Sequence, residues 1–460
     1  MTPPVERLAH RRVAERPDGA VRRSLRNAIA LRVLALASSA CTAPAVQPRG
    51  GDAGALDVTD ALEASHDAPR DRQPDDPDDG AVAADALRIV LYSVPENTPP
   101  GDLYVAGDFN AWSPGDAAYA LQPGPDGVRV VTLAGLAPGA RVELKFTRGS
   151  WATVEQLRSG AARPNRVVVF DPSHPVVALF VERWADLPAP ASTRSPRVQR
   201  IAGVTIPQLA GQTRDVWVYV PPGYDTAPTT ERYPVMYMFD GQNLFDAGTA
   251  TYGDEWRVDE TLDALYLEGR LPGILVVAAE NSPLRPCEYN VFASDPHPQC
   301  ADGSARGDAF NRFYVETLKP RIDGAYRTRP GREYTALAGS SMGGSLAMRA
   351  GFTQQGTYSR VAALSPSYQN SLSAIPAMPD YVRAQRPALS LRIYQDMGTA
   401  EQIRDLGPDV LLRNLYAVRD ALAQTGLAAS ALSTSVSPGA QHNEVYWANR
   451  LQDVILWLWL

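Results

Sequence analysis

The segment Gly339-Ser340-Ser341-Met342-Gly343-Gly344 restricts this chain more than any other. It follows an apolar run at 334–338 and precedes a helical run at 345–350. A serine flanked by small residues at a strand-to-helix junction implies a sharp backbone turn, because bulkier neighbours would collide there. The helix that begins beyond it presents unpaired N–H groups and its positive end, so negative charge developing near Ser341 is favoured. The surrounding sequence agrees with a sheet flanked by helices. Further strand-like runs at 214–220, 234–239, 274–279, 360–364, 389–394 and 431–436 alternate with helical stretches. Leu411, Leu415, Val418 and Leu422 recur on one helical face, and Gly426 is placed to end that helix. Such alternation predicts a mostly parallel sheet with helices on both faces.

A serine hydroxyl becomes a useful nucleophile only beside a base, and the chain has five histidines from which to draw one. His10 and His66 precede the folded part, His174 lies in an all-β stretch, and His297 sits between two cysteines beside a proline. His442 remains, in a loop directly after the last expected strand. An acid that orients this imidazole should follow the strand at 389–394. Asp396 and Glu401 both qualify there, and spacing does not choose between them. The order serine, acid, histidine is that of the α/β-hydrolases.

Several separated motifs strengthen that resemblance. The run 233–243, which ends Phe239-Asp240-Gly241-Gln242-Asn243, is joined by Arg285 with Glu288-Tyr289, the serine turn, and Gly398-Thr399-Ala400-Glu401. Together they resemble the esterase D and enterochelin-esterase-like group, which includes the feruloyl and acetyl-xylan esterases of carbohydrate esterase family 1. The resemblance covers about 200–460. It implies Ser341 as nucleophile, His442 as base and Glu401 as acid, with Asp396 as the alternative. It also implies an oxyanion hole from the backbone N–H groups of Met342 and Gln242. The activity implied is hydrolysis of a carboxylic ester, feruloyl, acetyl or siderophore-type, through an acyl-enzyme and without metal or organic cofactor. Two other functions share these residues: acyl transfer on the same fold, and a non-catalytic glucan-binding surface lipoprotein.

Ahead of this block, 86–184 contains short strand-like runs at 88–92, 103–106, 128–133, 142–146, 166–170 and 176–181, with a hairpin signal at 123–127. The pattern predicts an immunoglobulin-like β-sandwich. Tyr104 through Trp112, together with Leu144-Lys145-Phe146 and Gly149-Ser150-Trp151, resemble the glycogen- and starch-binding modules of carbohydrate-binding family 48. That resemblance implies sugar stacking on Trp112 and Trp151, polar contacts from Lys145 and Asn165, and a glucan ligand. A shorter linker at 185–199 joins the two blocks.

The N-terminal part reads as export and tether. Arg22, Arg23 and Arg26 precede a short apolar run at 28–37, as in a signal peptide. Cys41 behind Ser38-Ser39-Ala40 resembles a bacterial lipobox, so segment 1–41 predicts an exported protein, either lipidated at Cys41 or secreted. Residues 42–85 are rich in Ala, Asp, Pro and Gly, and read as a solvated acidic linker. In an oxidising compartment the two remaining cysteines, Cys287 and Cys300, would form a disulfide. Contact with a membrane is expected only through the lipid. A formal charge of −7 and the lack of a basic stripe argue against nucleic acid as a partner.

Overall fold

A computed structural model describes residues 82–292, 300, 305–369 and 378–460. Cys41, His10, His66 and His297 lie outside the described residues. The first described block is two small sheets packed face to face. One holds Leu87–Ser93 at its centre, antiparallel to Arg129–Leu133 and parallel to Val176–Phe180, with Gln122–Pro123 at its edge. The other runs Tyr104–Gly107, Arg141–Thr147, Arg166–Val169. Period-2 alternation decides what lies between them: Val142, Leu144 and Phe146 point inward to meet Ile89, Leu91, Val105 and Trp184, while Glu143 and Lys145 stay on the outer face.

The second block is built on an eight-stranded sheet. We number its strands β1 (Val198–Ile206), β2 (Gln212–Tyr219), β3 (Val235–Met238), β4 (Leu275–Ala279), β5 (Thr335–Ser340), β6 (Arg360–Leu364), β7 (Arg392–Gly398) and β8 (Leu432–Ser437). Their spatial order is β1-β2-β4-β3-β5-β6-β7-β8. The β1–β2 and β2–β4 pairs are antiparallel, and every pair from β4 to β8 is parallel. The central strands β3, β4 and β5 are buried along their whole length, which is why they read as unbroken apolar runs. Side chains on the two faces feed separate cores. One gathers Tyr237, Phe239, Phe310, Tyr314 and Leu346; the other gathers Met236, Met238, Trp256, Trp447 and Leu451.

Strand β1 is absent from the expectations above, and it begins at Val198, inside the stretch read as linker. It is an edge strand with a register shift between Ile201 and Val204, and much of it is exposed. Arg200, Gly203 and Thr205 therefore dilute the apolar signal by which buried strands are recognised. Strand β7 runs to Gly398, past the expected end at 394, and so carries Asp396 inside the sheet. The C-terminal helix Glu444–Trp459 starts at an Asn443 side chain that accepts the Tyr446 N–H, and it buries Trp447, Arg450 and Leu451. Among the described residues no helix is long and apolar enough to cross a membrane.

Candidate active site

Ser341 occupies the junction between β5 and the helix Met342–Thr353, with φ 54° and ψ −123°. An L-residue reaches this region only with strain, of order 1–3 kcal/mol. The surrounding contacts hold it there: the Ser341 N–H donates to the Leu364 carbonyl at 3.1 Å, and its own carbonyl accepts from Gly344, Ser345 and Ser367. Two of the three glycines of the turn are packed too closely for a side chain. A Cβ on Gly339 would lie 2.6 Å from the Gly343 carbonyl oxygen, and one on Gly344 would press on Pro366.

Strand ends deliver the partners. His442 Nε2 lies 3.0 Å from Ser341 Oγ, although 101 residues separate them. On the other side of the ring, His442 Nδ1 lies 2.8 Å from Glu401 Oε2. Glu401 has no solvent exposure. Its second oxygen accepts the Gly398 N–H at 2.7 Å and the Ser365 hydroxyl, so the carboxylate cannot rotate away from the imidazole. Trp447 meets the His442 ring edge-on at 5.1 Å between centroids and restricts its tilt. Of the two carboxylates that spacing left open, Glu401 is the one beside the histidine.

Asp396 has another task. It is fully buried and accepts Arg450 Nε at 2.9 Å, the Ser365 N–H at 2.9 Å and the Tyr394 hydroxyl at 3.2 Å. Burial pushes its carboxyl above the ordinary range, with Arg450 and the Ser365 amide opposing that shift. Arg450 Nη2 and Trp447 Nε1 both donate to Ser365 Oγ, at 2.8 and 2.9 Å, leaving the Ser365 proton for Glu401. Ser365, Trp447 and Arg450 thus orient Glu401. No motif marks them; the one sequence hint is that Trp447 and Arg450 stand three apart, on one face of an apolar helix.

Beside the serine, two backbone N–H groups were expected as oxyanion donors. Met342 is the first residue of its helix, where an N–H has no intrahelical acceptor. Gln242 lies in the tight turn Gly241–Asn243 after β3, and its side chain is engaged with the Asn281 N–H and with Thr251. A Cβ on Gly241 would sit 2.7 Å from the Ala278 carbonyl oxygen, so only glycine lets this turn lie against β4. Asp240, at φ 60°, clamps the turn by accepting Arg285 through two bonds of 2.7 and 2.8 Å and Asn281 at 2.6 Å. Cys287, two residues beyond Arg285, is disulfide-bonded to Cys300, with 5.6 Å between their Cα atoms.

In the sandwich, Trp112 and Trp151 are not part of the core, whose tryptophan is Trp184. Their rings lie 6.4 Å apart, and Trp151 is 44% exposed. Lys145 Nζ turns back onto the Arg163 carbonyl, and Asn165 is exposed with its amide on Glu143 at 2.7 Å. The structure therefore groups the two tryptophans, while the two polar residues are already engaged within the module.

This strand order, with a strained serine at the end of β5 and its histidine after β8, is that of an α/β hydrolase, and the class is carboxylic ester hydrolase. A family described as "Putative esterase" matches residues 208–458. The chain belongs to that esterase family. Solved structures similar to it include an IroE-like serine hydrolase from Shewanella oneidensis, 22% identical over 57% of this chain and 80% of that one, with a TM-score of 0.45. The enterobactin esterase of Shigella flexneri is 16% identical over 78% and 88%, with a TM-score of 0.44. A ferulic acid esterase from Anaeromyces mucronatus is 20% identical over 56% and 89%, with a TM-score of 0.41. A stretch of 108 residues is 45% identical to an alpha-amylase of Niallia circulans; it makes up 23% of this chain and spans 8% of the length of that relative.

Proposed function

We propose that this protein hydrolyses a carboxylic ester through a serine acyl-enzyme. The observation that carries the reading is the line Ser341 Oγ to His442 Nε2 at 3.0 Å and His442 Nδ1 to Glu401 Oε2 at 2.8 Å. In this reading His442 takes the Ser341 proton as the hydroxyl oxygen bonds to the ester carbonyl carbon. The carbonyl oxygen becomes an oxyanion held by the N–H groups of Met342 and Gln242. Collapse expels the alcohol, which leaves with the proton carried by His442. Water, deprotonated by the same histidine, then attacks the acyl-enzyme and frees the acid and Ser341. Glu401 keeps the imidazole in the tautomer that accepts at Nε2 and stabilises the imidazolium.

For the acyl group we propose the feruloyl, acetyl or siderophore-type esters that the motif resemblance implies. The neighbouring rings of exposed Trp151 and half-buried Trp112 support a glucan ligand on the sandwich, because axial sugar C–H groups pack on aromatic faces. Export, with a lipid on Cys41 or as a secreted protein, is the proposed location, and the Cys287–Cys300 disulfide supports an oxidising compartment. The deciding experiment runs p-nitrophenyl acetate, methyl ferulate and a siderophore ester side by side, with fluorophosphonate labelling of Ser341. Turnover of one ester together with labelling that disappears in Ser341→Ala supports the reading. An unlabelled, folded wild-type protein overturns it.

A further inference from the structure

Three carboxylates converge at the start of the helix Val258–Leu267. Glu255, Asp259 and Glu260 are 6%, 0% and 8% exposed, and one oxygen from each lies within 4.8 Å of the others. Each presents an oxygen that is buried without a hydrogen-bond donor: Glu255 Oε2, Asp259 Oδ1 and Glu260 Oε2. On two of them the other oxygen is already held by the segment joining the two blocks. Thr193 Oγ1 donates to Glu255 Oε1, and the Ser195 N–H donates to Asp259 Oδ2 at 2.8 Å. The orientation of the free oxygens is therefore set by structure outside the cluster.

Among the described residues no arginine or lysine forms an ion pair with these three carboxylates, although Arg158 and Arg194 line the same cavity and Arg257 acts on Glu255 through space. Arg257 is paired with Glu182, which also takes Arg163, and Arg197 is paired with Asp263. Charged carboxylate oxygens buried in this state cost several kcal/mol in general, so such groups are paired, hold a metal or take up protons, and burial does raise all three carboxyls here. A cavity of about 570 Å³, lined by Glu255, Glu260, Glu182, Thr193 and Arg257, opens onto the cluster and gives a route for an ion and its remaining waters.

We propose that Glu255, Asp259 and Glu260 bind a divalent cation of the calcium class. Oxygens within 4.8 Å of one another can share an ion at the roughly 2.3–2.6 Å typical of calcium, which accepts irregular sets of carboxylates and water. Magnesium demands a tighter octahedron and keeps more of its water. The expectation of no metal came from the resemblance of the esterase block and concerns its catalysis, so it has no bearing on a structural site made only of oxygen.

Such an ion would tie three parts together. Residues 193–195 belong to the segment between the blocks, and the helix Val258–Leu267 packs on the sandwich, where Tyr92 donates to the Glu260 carbonyl at 2.9 Å. Trp256, next to Glu255, donates its N–H to the Asn243 carbonyl at 2.9 Å beside the expected oxyanion turn. Its ring lies 5.4 Å from that of Trp447, the residue against His442. The cation is thus a fastener between the two blocks and a support for the active-site loops, without touching substrate.

The test uses the full chain and does not depend on the ester chemistry. Terbium chloride is titrated into chelator-stripped protein, with emission excited through Trp256, followed by displacement with calcium and, separately, magnesium. Melting is compared in EDTA and in 10 mM calcium. Expected are one terbium per chain, displacement by calcium at about 10⁻⁴–10⁻³ M, weaker displacement by magnesium, and a calcium-induced rise in Tm of roughly 3–8 °C. Both responses should vanish in Glu255→Gln/Glu260→Gln, whose Tm in EDTA should be no lower than wild type, since it loses two buried carboxyl groups that each carry an oxygen without a hydrogen-bond partner. Asp259→Asn serves the same purpose should the double variant fail to fold. Absence of the wild-type responses overturns the proposal. So does a response that survives in the variants, which would place binding on the acidic run Asp75, Asp76, Asp78 and Asp79 instead.

Discussion

Arg450 Nε donates to Asp396 Oδ2 at 2.9 Å, and this buried pair divides the work between two carboxylates five residues apart. Asp396 takes the short bond from the guanidinium and Glu401 the short bond to the imidazole, while Arg450 Nη2 also lies 3.7 Å from Glu401 Oε1 and so links the two carboxylates. The second Arg450 nitrogen reaches Ser365, whose hydroxyl is passed to Glu401, so the two functions communicate through one side chain.

The division predicts different phenotypes. Glu401→Gln should lower kcat by about 10²–10⁴-fold with the fold intact, because the imidazole loses its orienting charge. Arg450→Met should instead destabilise by about 3–5 kcal/mol, by stranding a buried Asp396. Steady-state kinetics and urea unfolding on both variants check this. If the two exchanged phenotypes, the acid assignment would be wrong.

Strain at Ser341 predicts a trade between stability and chemistry. Ser341→Gly removes the nucleophile and relaxes φ 54°, ψ −123°, so it should raise unfolding stability by about 1–2 kcal/mol while abolishing ester turnover. Chemical denaturation of wild type and variant at one pH provides the comparison.

At the donor turn, Gly241→Ala should cost about 10²-fold in kcat and less in KM. The added methyl would meet the Ala278 carbonyl, moving the Gln242 N–H away from the position of the oxyanion. Equal losses of binding and turnover would argue for a general distortion.

Without metal, the acidic cluster should make the protein acid-loving. Burial, with like-charged neighbours adding to it, pushes Glu255 up to about 8 and Asp259 to about 7, while the Thr193 hydroxyl and then Arg257 oppose it at Glu255, and a hydrogen bond with Glu260 and then the Ser195 amide oppose it at Asp259. Unfolded, both titrate near pH 4. Between pH 4 and pH 8 the unfolded chain therefore holds fewer protons than the folded one, so stability falls as pH rises across that window and levels off above it. Melting in EDTA at pH 5, 6, 7 and 8 should show this decline, and Glu255→Gln/Glu260→Gln should flatten it.

A glucan-binding sandwich makes the last prediction. Retardation of the full chain in a glycogen or starch affinity gel should weaken at least fivefold in Trp151→Ala, with turnover of a small ester unchanged, because Trp151 lies outside the core and far in sequence from the serine.

Much of this architecture was legible locally. The central strands β3 to β6 announce themselves as apolar runs, and the serine turn needs glycines that only a tight strand-to-helix junction explains. His442 follows from elimination among few histidines and from its place after the last strand. These readings depend on composition, period and immediate neighbours, which the linear order of residues displays. The edge strand β1 escaped because its exposed face dilutes the pattern.

Other decisions needed the chain to be folded. Asp396 and Glu401 are chemically alike and near one another in sequence; the motif resemblance favours Glu401, but spacing leaves both open, and the end of β7, the Gly398 amide and the approach of Arg450 from the C-terminal helix set Glu401 against the histidine and Asp396 against the arginine. The same holds for Ser365, for the paired surface tryptophans, and for the three carboxylates beside Thr193 and Ser195. A side chain's type states what it is able to bond; which bond it makes depends on the partners and dielectric that distant segments bring within about 3 Å.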